Sequence, residues 1–250
     1  MQLPGKRALV TGGTRGIGAA VALDFAAAGA KVVVNGRTND DDAAEVCRQA
    51  EAAGGFCRFV QADVAVPAEA DRCVDEAIEL LGGLDVLVHS AGGPAPGSID
   101  QITLDEWRAA FDVHVHAAFT LCRRALPAIR RSGEGAIVLI SSAAAVRGCP
   151  GAIAYGTVKG AILQFTRMLA RDVADDNIRV NCVAPGIIRT RFHQAMSHEQ
   201  QAHNLRQRIP LHREGTPADV AEVVRLLATN EFMTGEYVVV DGGMSMQMVR

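Results

Sequence analysis

The chain has 250 residues, of which 49% are apolar and 21% are charged, and it contains 25 glycines. This composition is typical of a globular protein and excludes a disordered, collagen-like or disulfide-scaffold chain. The 25 basic and 28 acidic residues give a formal charge of −3. Because the sequence has no long basic run, we expect neither a nucleic-acid partner nor an anionic membrane surface.

No part of the sequence predicts insertion into a membrane or export. The longest apolar stretch, residues 136–146, is interrupted by two serines and is shorter than the roughly 18 residues that a bilayer-spanning helix requires. The first six residues contain no apolar targeting segment. The six cysteines form neither a CxxC pair nor a metal-ligand spacing. We therefore expect a cytoplasmic protein with reduced thiols and no metal site.

Seven apolar runs of strand length alternate with helical patterns along the whole chain. The predicted strands cover residues 7–11, 31–35, 56–61, 84–89, 136–141, 178–184 and 237–240. A first helix follows the spacing of Ile17, Val21 and Phe25, and further helices are predicted over 41–53, 67–81, 104–131, 153–173 and 217–228. Because several strands are almost entirely apolar, we expect helices on both faces. The pattern predicts a single α/β domain over residues 1–250, with a doubly wound parallel sheet.

The first strand is followed directly by the glycine-rich segment TGGTRGIG, residues 11–18, which opens the first helix. Glycines at such a turn let the backbone approach a pyrophosphate, whose charge is stabilised by the helix N-terminus. Gly12, Gly16 and Gly18 have the spacing GxxxGxG rather than GxGxxG. A plain strand-to-helix turn is the alternative interpretation, and the strand-loop-helix context favours dinucleotide binding.

The end of the second predicted strand bears on the choice of nicotinamide cofactor. An NAD-binding chain usually places a carboxylate there, on the ribose hydroxyls. This strand instead ends in Asn35, Gly36 and Arg37, with no acid before Asp40. Arg37 can bind a 2′-phosphate bidentately, and Arg15 of the glycine-rich segment can add a second contact. We predict NADP(H) rather than NAD(H); the alternative is two exposed, solvated arginines.

Tyr155 and Lys159 are four residues apart at the start of a predicted helix and therefore share one face. In a chain with two tyrosines and three lysines, such a spacing arises by chance with a probability of roughly 2%. An ammonium about 4 Å from a phenol favours the phenolate by at most about 4 kcal/mol at an effective dielectric constant of about 20. The pair is expected to exchange a proton with a carbonyl or alcohol oxygen.

Ser142 follows the predicted strand 136–141. In an open parallel sheet, ligands bind beyond the carboxyl ends of the strands, so Ser142 is expected to face the same space as the glycine-rich segment. Its hydroxyl can hold a substrate oxygen. The neighbouring Ser141 is interpreted as a strand residue satisfied by local hydrogen bonds.

Together these residues resemble the short-chain dehydrogenase/reductase family, and the resemblance covers essentially the whole chain. The family's TGxxxGxG loop matches residues 11–18, its Ser and YxxxK motif match Ser142, Tyr155 and Lys159, and its PG turn matches residues 185–186. The general pattern is most similar to the 3-oxoacyl-carrier-protein reductase type. The resemblance implies a Rossmann-type sheet with strand order 3-2-1-4-5-6-7.

The resemblance also implies roles for individual residues. Tyr155 would be the general acid/base, Lys159 would bind the nicotinamide ribose and lower the pKa of the tyrosine, and Ser142 would orient the substrate oxygen. Asn181 would lie in a strand that supports the site. The expected cofactor-binding residues are Gly12, Thr14, Arg15, Gly16, Ile17, Gly18, Arg37, Asp63, Val64, Ser90, Ala91, Gly92, Tyr155, Lys159, Pro185, Gly186, Ile188 and Thr190.

The sequence departs from the family pattern at two places. Where the family commonly has Asn-Asn-Ala-Gly, this chain has HSAG, residues 89–92. The helix asparagine of the usual catalytic tetrad aligns with His114. In the family that residue helps to hold a water that links the lysine to solvent. We predict that His114 takes over this position, with a pH dependence from its imidazole; the alternative is a histidine packed in the helix.

Residues 189–213 are polar and uneven in periodicity, and in the family such a segment covers the substrate as a lid. Arg147 could meet an acidic substrate, or it could be a solvated surface residue. By resemblance, the helices at 104–131 and 153–173 are expected to pack against symmetry mates and form a homodimer or homotetramer.

The prediction is therefore an NADP(H)-dependent enzyme that interconverts a carbonyl and a secondary alcohol of a small molecule. The alternative is a dinucleotide-binding sensor or scaffold with weak or no turnover, suggested by His114 and the altered segment at residues 89–92. Replacement of Tyr155 by phenylalanine discriminates between the two.

Overall fold

The computed structural model describes residues 1–193 and 196–246, and in it the predicted strands form one sheet. In chain order they are β1 (Arg7–Thr11), β2 (Lys31–Gly36), β3 (Phe56–Gln61), β4 (Val86–His89), β5 (Gly135–Ile140), β6 (Ile178–Pro185) and β7 (Tyr237–Val240). Their spatial order is β3-β2-β1-β4-β5-β6-β7, and each neighbouring pair is parallel. The predicted Rossmann fold class and strand order are confirmed.

Helices cover both faces of the sheet. Within the described residues they are α1 (Gly16–Ala27), α2 (Asp41–Ala52), α3 (Pro67–Leu81), α4 (Leu104–Phe111), α5 (Ala117–Arg131), α6 (Ile153–Val173), α7 (His198–His203) and α8 (Pro217–Thr229). Buried residues of α3, α5 and α6 form one core with the sheet, and those of α1, α2 and α8 form the other. Among these helices, none is both long and apolar enough to cross a membrane.

The two cores follow from the alternation of side chains along each strand. Leu9 of β1 belongs to the core with α3, α5 and α6, whereas the next residue, Val10, belongs to the core with α1, α2 and α8. Both side chains are completely buried. β4 and β5 are buried at every position. Because a strand buried on both faces needs apolar residues at nearly every position, these two strands are almost entirely apolar.

The predicted helix at residues 104–131 is interrupted at its centre. Between α4 and α5 the backbone forms a π-helical turn, Asp112–His116. Such a turn accommodates an extra residue within a helix and is frequent at functional sites. It directs His114 into the protein, where only 2% of the residue is exposed.

The predicted lid segment, residues 189–213, contains a short helix that the sequence pattern did not indicate. α7 spans six residues and continues into a π-helical turn, Asn204–Arg208. A helix this short shows too little apolar periodicity to be recognised. Residues 194 and 195 of the segment lie outside the described residues.

The start of β5 is closely packed, and this leads to a prediction about stability. A Cβ atom at Gly135 would lie 2.1 Å from Cγ2 of the fully buried Ile129 and 3.3 Å from the carbonyl oxygen of Asp85. We expect Gly135→Ala to lower the free energy of unfolding by about 1–3 kcal/mol, measured by urea denaturation. In α6 the corresponding space at Gly160 is open, so Gly160→Ala should leave the free energy unchanged or raise it by up to about 1 kcal/mol. Equal stability of the two variants would contradict this packing.

Candidate active site

A groove with a volume of about 1180 Å³ runs across the carboxyl ends of the strands. Its lining includes the predicted catalytic residues Ser142, Tyr155, Lys159 and His114. It also includes every predicted cofactor-binding residue except Gly18. The convergence follows from the parallel sheet, in which β1, β4 and β5 are neighbours and end at the same edge.

The glycine-rich segment brings backbone close to backbone at the floor of this groove. Gly12 has a φ of +62°, and a Cβ atom there would lie 2.7 Å from the backbone N and Cα of Ala91. A Cβ atom at Gly18 would lie 2.2 Å from the carbonyl oxygen of Gly12. Gly18 therefore supports the turn from behind rather than lining the groove. α1 begins at Gly16 with no side chain capping it, so its N-terminal amides are available to an anion. This cradle fits the pyrophosphate of a dinucleotide.

The two arginines predicted to bind a 2′-phosphate have different surroundings. Arg37 is exposed at the end of β2, and among the described residues its guanidinium has no carboxylate partner. The guanidinium of Arg15 instead forms ion pairs with Asp40 and Asp42. The charge of Arg15 is therefore partly neutralised, and Arg37 is the more available cation for a phosphate.

The start of the predicted lid segment contacts the N-terminal turn of α2 beside the groove. Asp42 accepts two hydrogen bonds from Arg191, at 2.7 and 3.2 Å. This contact connects the residues after β6 to the N-terminus of α2. Asp63 lines the groove as predicted, and one of its carboxylate oxygens accepts a hydrogen bond from the amide of Ala65 at 3.0 Å.

Lys159 is a buried ammonium at the centre of the site. Only 5% of the residue is exposed, and its Nζ donates to the carbonyl oxygen of Ile140, the last residue of β5, at 2.8 Å. Ser141, the next residue, donates from Oγ to the carbonyl oxygen of Lys159 at 2.7 Å. Ser141 is thus a structural residue that connects the end of β5 to α6, but the hydrogen bond of its hydroxyl spans 18 residues and is not the local one that the sequence predicts. Burial lowers the pKa of Lys159 to about 8.

Tyr155 lies one turn before Lys159 on α6, and the Nζ of the lysine is 5.7 Å from the centroid of the phenol ring. Burial raises the pKa of Tyr155, and the interaction of its hydroxyl with that of Ser142 lowers the pKa by a smaller amount. The net direction is upward. The structure therefore does not show the predicted lowering by Lys159, because desolvation of the phenol dominates and the ammonium is bonded to Ile140. The phenol is protonated at neutral pH.

His114 and His89 are the two buried imidazoles near Lys159. The Nε2 of His114 is 3.1 Å from the carbonyl oxygen of Gly93, and the Nδ1 of His89 is 2.8 Å from Oγ1 of Thr11. Burial, together with the charge of Lys159, lowers the pKa of His114 to about 2 and that of His89 to about 3. Both rings are neutral at working pH. Burial of His114 therefore does not favour a pH dependence from its imidazole near neutral pH, and its part in proton relay stays a prediction.

Three aromatic rings surround the face of the site where a substrate would lie. The ring of His114 meets that of Tyr155 edge-on at a centroid distance of 5.9 Å, and Phe192 approaches Tyr155 at 5.6 Å. Neither Phe192 nor the position of His89 near Lys159 was predicted from the sequence. The altered segment at residues 89–92 was a signal for His89, whereas nothing in the pattern marked Phe192.

The remaining wall on this side is largely apolar, with Pro94, Pro96, Ile102 and Ala110 in the lining. Arg147, considered for an acidic substrate, instead donates to the carbonyl oxygen of Met244. Among the described residues no group of three or more His, Cys, Asp or Glu side chains could hold a metal ion.

Comparisons with known proteins agree with this geometry. A family model described as enoyl-(acyl carrier protein) reductase matches residues 12–245. The chain is 38% identical to a versicolorin reductase of Emericella nidulans, over 97% of this chain and 96% of that protein. It is 37% identical to a 3-oxoacyl-[acyl-carrier-protein] reductase of Synechocystis, over 96% of each chain. A Burkholderia cenocepacia short-chain dehydrogenase, solved in complex with NADP, superposes with a TM-score of 0.91 at 36% identity, covering 98% of this chain and 99% of that chain.

The depressed imidazole pKa values predict how stability depends on pH. Because His114 and His89 titrate far below the ordinary value of about 6.5, the unfolded chain binds more protons than the folded chain between pH 6.5 and 3. The contribution of these two imidazoles to the free energy of unfolding is fully present above pH 6.5 and is lost as the pH falls. From pH 7 to pH 5, each imidazole should lower the free energy of unfolding by about 2 kcal/mol.

Between pH 7 and pH 5, the free energy of unfolding of His114→Asn should therefore fall by about 2 kcal/mol less than that of the wild type. Urea denaturation at the two pH values measures this difference. His116→Asn is the matched control, since His116 lies two residues away in the same π-helical turn and is exposed. An equal acid-induced loss in His114→Asn and in the wild type would show that His114 is not held neutral.

Proposed function

The chain belongs to the short-chain dehydrogenase/reductase family, and on this premise we propose that it transfers a hydride between NADP(H) and the carbonyl or secondary alcohol group of a small molecule. The observation that carries the proposal is the convergence of Ser142, Tyr155 and Lys159 at one end of the groove. The protein is an oxidoreductase of this family. The cofactor preference, the substrate and the role of each residue are parts of the proposal.

Each residue of the site has a separate task in this scheme. The nicotinamide supplies or accepts the hydride. The hydroxyls of Ser142 and Tyr155 interact with each other in the lining of the groove, where they can both hydrogen-bond to a carbonyl oxygen. Tyr155 then donates its proton to the oxygen as negative charge develops there. Because burial keeps the phenol protonated in the cofactor-free chain, this state is suited to the direction of carbonyl reduction.

Lys159 provides the positive charge that stabilises the site when Tyr155 gives up its proton. Its ammonium is fixed by Ile140 and buried next to the phenol, so its field is not screened by water. We assign His114 to the position of the family's helix asparagine, as a neutral residue that contacts the ring of Tyr155. Its Nδ1 is buried and, within the described residues, without a hydrogen-bond partner, which suits a buried water.

Support for NADP(H) over NAD(H) comes from the end of β2. The strand ends in Asn35, Gly36 and Arg37 without the acid that an NAD-binding chain usually has there. The amide of Asn35 donates to the carbonyl oxygens of Val60 and Ala62 at 3.2 and 3.0 Å. The side chain of Asn35 is therefore hydrogen-bonded to the backbone at the end of β3, and it offers no carboxylate to the ribose. Arg37 follows in the exposed position that suits a 2′-phosphate. A similar chain solved with NADP is consistent with this choice.

Support for the substrate class comes from the apolar wall and the lid. We propose that residues 189–213 cover the substrate and that Phe192, beside Tyr155, contacts it. Both relatives are reductases by name, and the 3-oxoacyl-[acyl-carrier-protein] reductase names an oxo group as the one reduced. A 3-oxoacyl compound or another ketone with an apolar body fits this largely apolar wall, in which the charged residues Glu106 and Asp112 are acidic, better than a small acidic substrate.

The assembly and location of the protein are also proposals. Exposed apolar side chains on α4, α5 and α6, including Leu104, Phe119 and Met168, fit a homodimer or homotetramer built on these helices. All six cysteines are free thiols, which agrees with a reducing, cytoplasmic compartment.

The central role of Tyr155 is tested by Tyr155→Phe. Removing the hydroxyl takes away the proton donor, so kcat/KM for NADPH-dependent reduction of a ketone should fall by about 10²–10⁴-fold. Cofactor affinity, measured by NADPH fluorescence, should change little because the groove is otherwise intact.

Tyr237→Phe is the matched control, since Tyr237 lies on β7 against Arg167 and away from the groove. It should keep wild-type activity. Unchanged turnover in Tyr155→Phe would overturn the mechanism. Cofactor binding without turnover in the wild type, over a broad screen of carbonyl substrates, would favour a dinucleotide-binding sensor.

The cofactor preference is tested by Arg37→Ala. Loss of a charge-assisted contact to the 2′-phosphate should lower kcat/KM for NADPH by about 10–100-fold and leave that for NADH nearly unchanged. Arg48→Ala is the control, because Arg48 is exposed on α2 and pairs with Glu45. A wild-type protein that uses NADH as well as NADPH would contradict the preference.

A further inference from the structure

A pair of cysteines lies outside the groove, between α2 and β3. Cys47 of α2 and Cys57 of β3 have their Sγ atoms 3.2 Å apart. The contact arises because the strand that follows α2 runs back beneath it, which brings residues ten positions apart together. Neither cysteine lines the groove, so the pair is not part of the proposed active site.

The two thiols differ in access and in acidity. Cys47 is partly exposed, whereas Cys57 is buried. The hydrogen bond with Cys57 lowers the pKa of Cys47, opposed by burial and Glu51 and assisted by Arg58. The same hydrogen bond and burial raise the pKa of Cys57. Both shifts favour ionisation of Cys47, the thiol that solvent can reach, over ionisation of Cys57, and the more readily ionised, accessible thiol is the more nucleophilic one.

None of the other four cysteines combines solvent access with contact to a second sulfur among the described residues. Burial raises the pKa of Cys73, Cys122 and Cys182 to about 12. Cys149 is exposed, but no other sulfur contacts it among the described residues. Among the described residues, Cys47 and Cys57 are therefore the one pair in which two sulfur atoms are in contact and one of them is accessible to solvent.

We propose that Cys47 and Cys57 form a reversible dithiol–disulfide site, in which a peroxide oxidises Cys47 first and Cys57 resolves the product. The thiolate sulfur of Cys47 attacks one oxygen of hydrogen peroxide, so that an S–O bond forms and the O–O bond breaks; Cys47 becomes a sulfenic acid, and the second oxygen leaves as hydroxide, which takes up the proton that the Cys47 thiol released and becomes water. The sulfur of Cys57 then attacks that of Cys47. The S–S bond forms, the S–O bond breaks, and the hydroxyl leaves as a second water with the proton of Cys57.

The disulfide would connect α2 to β3 across a ten-residue loop. The segment before α2 contains Arg37, and the segment after β3 contains Asp63, both in the lining of the groove. The cross-link therefore joins the two elements that support the adenosine end of the proposed cofactor site, on the side away from Tyr155. The proposal does not depend on the proposed function, since the thiol chemistry is measured without turnover.

The site is tested by treating the full-length protein with hydrogen peroxide and mapping the cysteines by mass spectrometry under non-reducing conditions. We expect a peptide that links Cys47 to Cys57, which dithiothreitol reverses. The oxidised protein should unfold at a temperature about 5 °C higher than the reduced protein. A pair that stays reduced while Cys149 is oxidised would overturn the proposal.

Variants separate the two roles. In Cys57→Ser, oxidation should stop at a sulfenic acid on Cys47 that dimedone traps, whereas Cys47→Ser should yield no trapped product at Cys57. Cys149→Ser is the matched control and should form the cross-link as the wild type does. Trapping at Cys57 in Cys47→Ser, at the rate seen for Cys47, would contradict the assignment of the reactive thiol.

Discussion

The buried ammonium of Lys159 is the constraint on which the rest of the site depends. It is held at the end of the central strand β5 by the carbonyl oxygen of Ile140, away from bulk water. A cation in that position is expensive to desolvate, and its pKa falls to about 8 for this reason. The groups packed around it are therefore neutral ones, and the site tolerates a single positive charge close to the phenol of Tyr155.

The two departures from the family pattern are linked through this cation. His89 lies on β4 and His114 on the π-helical turn. Burial, and to a smaller extent the charge of Lys159, lowers the pKa of both imidazoles and keeps them neutral. A Cβ atom at Gly92 would lie 2.3 Å from Cε1 of His114, so the glycine next to Ser90 and Ala91 leaves room for the ring. The imidazole in the helix and the glycine after β4 are thus parts of one packed unit.

Much of this fold follows from local signals. Apolar periodicity indicated the strands and helices, and the parallel sheet then brought Ser142 and Tyr155 to one edge. Features set by tertiary packing could not be predicted. A one-residue π-helical insertion barely changes the apolar periodicity around His114. The ion pairs of Arg15 with Asp40 and Asp42 depend on where two loops meet in the fold. The raised pKa of Tyr155 arises from burial, which residue spacing does not reveal.

The burial of Lys159 can be measured directly, because the chain has only three lysines, Lys6, Lys31 and Lys159. In protein labelled with 13C at the lysine Cε position, three signals can be followed through a pH titration by NMR, and Lys159→Met identifies one of them by its loss. We expect this signal to titrate near pH 8 in the cofactor-free protein. A midpoint at or above the ordinary lysine value of about 10.4 would show a solvated ammonium and would contradict the account.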